Sequence, residues 1–120
     1  MNIDRKQILT SVLENIEGIS DKEYQKRVWI RGEGSEVDDF DETTCNFFQD
    51  GNGVIKNYQD FGLTDEQYHL LVKFRDEFNV FCNGAALKHY LPEKFIDTPE
   101  WERIMNLAKD VLKAFSYQKK

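Results

Sequence analysis

The chain has 120 residues, 40% of them hydrophobic, with 16 Lys and Arg against 22 Asp and Glu and a formal charge of -6. One domain of that length buries roughly two-thirds of its unfolded surface, so it needs neither metal nor disulfide to stay folded. The acidic balance argues against a general nucleic-acid binder, whose affinity comes from Lys and Arg, and leaves basic partners in play.

The opening residues carry Asp4, Arg5, Lys6 and Glu14 and no apolar run long enough for a signal peptide or a membrane span, which places the expected protein in the cytoplasm. Ile8, Leu9, Val12, Leu13 and Ile16 recur at helical spacing, and Gly18 follows at the place of a left-handed helix end. A first helix is predicted over 4–17. Ser20 with Glu23 reads as a capping box and Ile19 with Tyr24 as its staple, so a second helix should run over 20–31 and pack as a hairpin on the first. Within it, Val28, Trp29 and Ile30 are consecutive and cannot all face one narrow stripe. Trp29 either packs against Val37 and Phe40 or reaches the surface.

A loop over 32–35 leads to a short third helix capped by Asp39 and Glu42, followed by a turn at Asp50, Gly51, Asn52 and Gly53. Residues 54–61 read equally as helix or extended chain. Thr64 and Gln67 form another capping box, with Leu63 and Tyr68 as staple. It opens a central helix over 64–83 whose inner stripe is Leu71, Phe74, Phe78 and Phe81. After a connection containing Pro92, Thr98 and Pro99 start a last helix with Trp101, Ile104, Met105, Ala108, Val111, Leu112 and Phe115 on one face. No segment alternates with the two-residue period of a strand. The expected fold is therefore an all-α single-domain bundle of about five helices, with an acidic loop between the second and third.

Cys45 and Cys82 lie 37 positions apart among Phe residues inside expected helices, and read as buried free thiols rather than a disulfide or a zinc site. His69 and His89 have no ligand spacing to them. Asp50, Gly51, Asn52, Gly53 and Ile55 match part of a calcium loop, but Phe48 and Gln59 stand at its first and twelfth positions, where a leading Asp and a bidentate Glu are required. No metal or cofactor is expected, and no motif of a hydrolase, zinc protease or phosphate-binding loop occurs.

Charge placement is the informative feature. Between Gly32 and Ile55 there is no Lys or Arg, while Glu33, Glu36, Asp38, Asp39, Asp41, Glu42 and Asp50 bring -7; the remainder, 16 basic against 15 acidic residues, is +1. The acids either solvate a loop and complement a helix N-terminus, or form a recognition surface for a basic protein. In the second case Glu33, Glu36, Asp38, Asp39, Asp41 and Glu42 are the contact residues, with Trp29 or Phe40 as apolar anchors. A small Mg²⁺- or Mn²⁺-dependent hydrolase using the same carboxylates is one alternative. An oligomeric scaffold joined through the Trp101 to Phe115 face is another; sequence leaves the oligomeric state open.

The stretches WIRGEGSEVDDFDETTCNFF, FGLTDEQYHLLVKFRDEF and DTPEWERIMNLAKDVLKAF resemble small acidic bacterial proteins of uncharacterised families, some of them like immunity proteins that neutralise a toxin. The resemblance implies a cytoplasmic inhibitor whose acidic face covers a basic active site. It carries no functional residue over.

Overall fold

The computed structural model describes residues 4–34, 39–88 and 91–117. Its helices are α1 (Arg5–Ser20), α2 (Lys22–Tyr24), a π-helical segment continuing from it (Gln25–Ile30), α3 (Phe40–Lys56), α4 (Asp65–Lys88), α5 (Pro92–Phe95) and α6 (Pro99–Ala114). The described residues contain no strand, so the expected all-α class holds, with more helical pieces than expected. α1 packs against α3 and α6, and α4 against α6 and α3. One core cluster gathers Val12, Ile16 and Ile19 of α1, Phe47 and Val54 of α3, Leu71, Phe74 and Phe78 of α4, Phe95 of α5, and Trp101, Ile104 and Val111 of α6. The stripe of α6 from Trp101 to Val111 is thus core within a single chain, while Leu112 and Phe115 of the same face are half-buried.

Four expectations are corrected by packing. α1 does not stop before Gly18 but runs to Ser20, and the break falls at Asp21 in extended conformation. The carboxylate of Asp21, not the hydroxyl of Ser20, accepts from the Tyr24 amide at 3.1 Å, while Ser20 donates to the Glu17 carbonyl. The expected capping box is therefore displaced by one residue.

α3 passes straight through Asp50–Gly53 instead of turning there. Two helical glycines cost about 1 kcal/mol each, whereas burying Val54 and Ile55 just beyond them returns about 1.5–3 kcal/mol apiece. Gly51 is buried, and a methyl group in its place would meet the Phe47 ring at 3.2 Å. The missing side chain is thus what leaves room for that ring. Because these residues are helical, the partial calcium-loop pattern has no loop to act in. Residues 54–61, ambiguous before, divide at Lys56: helix up to it and tight turns beyond, closed by Gly62 at φ +70°.

α4 outruns its expected end at Asn83 by five residues, reaching Lys88. Its start is as expected: the Thr64 amide donates to Gln67 Oε1 at 2.9 Å and the Gln67 amide to Thr64 Oγ1 at 3.1 Å. α6 likewise begins with Thr98 accepting from the Trp101 amide and Pro99 in the first turn. The fourth correction concerns the thiols. Both are free, but Cys45 is exposed and Cys82 only half-buried.

Candidate functional site

Trp101 is fully buried, and five rings surround it: Phe95 at 4.8 Å between centroids, Phe81 at 5.1, Phe40 at 5.9, Trp29 at 6.2 and Phe78 at 6.3 Å. Its indole N–H donates to Gln25 Oε1 at 2.9 Å. Gln25, also without exposed surface, uses both amide hydrogens on the carbonyls of Gly18 at 3.0 Å and Ile19 at 2.8 Å. These carbonyls lie in the last turn of α1, beyond the regular helical ladder, and apart from Gln25 the Gly18 carbonyl receives only the long bond from the Asp21 amide at 3.4 Å among the described residues. One side chain therefore closes a helix end, satisfies a buried indole and joins three elements. Sequence reasoning passed over Gln25; its signal was a polar residue three before Val28, on the inward face.

This aromatic cluster fixes the start of α3. Phe40, its first residue, also meets Phe95 at 4.9 Å, and the Trp29 ring meets Phe40 edge-on at 5.6 Å. Trp29 thus takes the packed alternative at Phe40, and Val37, the other expected contact, lies outside the described residues. Trp29 and Phe40 are both half-buried and packed on the core.

Outside the cluster stand the carboxylates. Asp39 is extended and accepts from the Glu42 amide at 2.7 Å, which is the Asp39 half of the expected reciprocal cap, and Asp41 and Glu42 occupy the first turn, where the helix dipole favours negative charge. Asp39, Asp41 and Glu42 are exposed, and among the described residues no Lys or Arg pairs with them. Glu33 differs: Arg31 Nε donates to its carboxylate at 2.6 Å in a solvent-facing pair. Such a pair contributes between zero and about 1 kcal/mol. Glu36 and Asp38 lie outside the described residues. Asp50 is half-buried, accepts from Ser11 Oγ at 3.4 Å, and stands about 12 Å along the helix from Glu42. The described acids of this segment therefore do not make one cluster.

Beneath the start of α3, burial pushes the Cys82 thiol up to about 12; the nearby Asp41 charge adds to the effect and a hydrogen bond with Thr44 opposes it. That thiol is a neutral packing group at physiological pH and no nucleophile. Among the described residues no three His, Cys, Asp or Glu side chains are gathered to hold a metal ion. No helix among them is long and apolar enough to cross a membrane. An open groove of about 420 Å³ lies elsewhere, between Lys22 and Glu23 of α2 and Lys109 and Leu112 of α6.

Compared with family models, with curated proteins and with solved structures, the chain matches none.

Proposed function

We propose that this chain is a non-catalytic protein-binding module, a cytoplasmic inhibitor of the immunity type, that covers a basic surface of its partner with Asp39, Asp41 and Glu42 and the acidic segment leading to them from Glu33. The supporting observation is that these three carboxylates are exposed, without a Lys or Arg partner among the described residues, on a helix end pinned to the core by Phe40. A fixed negative surface of this kind speeds encounter with a cationic partner and disfavours nucleic acid. The rings of Trp29 and Phe40 then act from behind the surface, by holding it, and not as anchors in it.

The test compares the wild type with a variant carrying Asp39→Asn, Asp41→Asn and Glu42→Gln, immobilised against a panel of purified basic proteins and native lysate at low and high salt. The side-chain oxygen introduced by Asp39→Asn still accepts from the helix amide, so the variant should melt within a few degrees of wild type. Charge reversal at Asp39 would instead cost about 1 kcal/mol by removing the cap. The expected result is capture that weakens as salt screens charge and is lost in the triple variant. Capture unchanged in that variant refutes the assignment.

A further inference from the structure

The segment Gln25–Ile30, QKRVWI, contains no Gly or Pro, and its Gln, Lys and Arg are strong α-helix formers. Nothing local asks for a wide turn, yet the Arg31 amide skips one carbonyl to reach Lys26 at 3.1 Å, and the Glu33 amide reaches back to Arg27 at 2.8 Å. The cause is a conflict of direction. Gln25 must point inward to meet Gly18, Ile19 and Trp101, and Ile30 packs against the core five residues later. An α-helix sets residues five apart about 140° from each other around its axis. The wider π turn rotates less per residue and brings the two toward one side. Val28, 3% exposed, and half-buried Trp29 are gathered inward by the same winding.

We propose that this π turn is a tertiary-enforced adaptor between two inward anchors, Gln25 and Ile30, and that releasing either anchor rewinds the segment to an α-helix. Rewinding returns the Arg31 amide to the Arg27 carbonyl. That carbonyl keeps a second lone pair, but the same rewinding turns the chain beyond Arg31, so the Glu33 amide loses its alignment with it and the first acidic residue after the helix is let go. The segment is thus a two-state element, with the buried glutamine as its latch and the origin of the acidic stretch as its moving part.

Two variants of the full chain test this. Ile30→Lys removes the half-buried inward anchor and leaves the Gln25 bonds intact; Gln25→Met keeps volume and removes all three side-chain bonds. The readout is the scalar coupling across hydrogen bonds between amide nitrogen and carbonyl carbon by NMR. In wild type, Arg31 should couple to Lys26. In Ile30→Lys it should couple to Arg27, with the Glu33 amide exchanging at least about tenfold faster, and a folded Gln25→Met should behave alike. Should Gln25→Met fail to fold, Ile30→Lys decides alone. An Arg31 amide still coupled to Lys26 in Ile30→Lys overturns the proposal.

Discussion

The starts of α4 and α2 are built by opposite means. At α4, Thr64 and Gln67 exchange two hydrogen bonds within four residues of chain, and the Gln67 side chain adds one remote bond outside that exchange, its Nε2 donating to the Ala114 carbonyl of α6 at 3.2 Å. At α2 a similar pattern, Ser20 with Glu23, is passed over; Asp21 caps instead, and the junction is held by Gln25 reaching back to α1 and across to Trp101, 76 positions away. Local signals decide a helix end that water can reach. Where the end is buried, its carbonyls must be satisfied from inside, and the remote partner sets the register.

The sharpest way to break the buried junction is Trp101→Ala, expected to cost about 4 kcal/mol in urea denaturation, since it deletes a fully buried ring and strands the Gln25 oxygen. A double-mutant cycle of Trp101→Phe with Gln25→Leu isolates the bond between them. A coupling of about 1–2 kcal/mol is expected, and strict additivity would show that the contact contributes nothing. At the exposed start, Thr64→Ala should cost only about 1 kcal/mol by the same denaturation measurement.

A smaller effect, of opposite sign, is expected at the far end of α6. Ser116 holds φ 52°, a left-handed position suited to glycine, where it lets the Tyr117 amide close on the Leu112 carbonyl at 2.9 Å. Ser116→Gly should therefore raise stability by about 0.5 kcal/mol, read as a higher melting temperature. Least of all should be the contribution of Arg103, whose guanidinium donates to Glu77 at 2.8 and 2.9 Å across the solvent side of α4 and α6. That bond holds the Glu77 carboxyl below its ordinary value of 4.5. A carboxyl depressed on folding adds stability above its ordinary value and loses it as pH falls through the folded one. The difference in melting temperature between wild type and Glu77→Gln should accordingly be constant above pH 4.5 and shrink away as pH falls below it.

Helical class and the starts of α4 and α6 were legible in the sequence because three-and-four spacing and short-range caps lie within a few residues of one another. The path of α3 was not. Asp50 to Gly53 has the composition of a turn, and only the burial of Gly51 against Phe47 and of Val54 beyond it shows why the helix continues. Cys45 was misplaced for a rotational reason: it stands about 100° from Thr44 around the helix, and Thr44 is the neighbour of Cys82. Of the candidate site, the Asp39 cap and the exposed first turn could be read from position alone. Counting charge along the chain could not reveal that Asp50 faces Ser11 or that Arg31 takes Glu33.

α4 carries a last consequence. Its 24 residues span about 36 Å, nearly the 38 Å long dimension of the molecule, so it acts as a strut with the Tyr58–Tyr68 stack near one pole and Cys82, beside Asp41, toward the other. Tyr68 and Cys82 lie about 21 Å apart along the helix, between two and three Debye lengths at physiological salt. Charge introduced at the tyrosine pole is therefore largely screened before it reaches the acidic one.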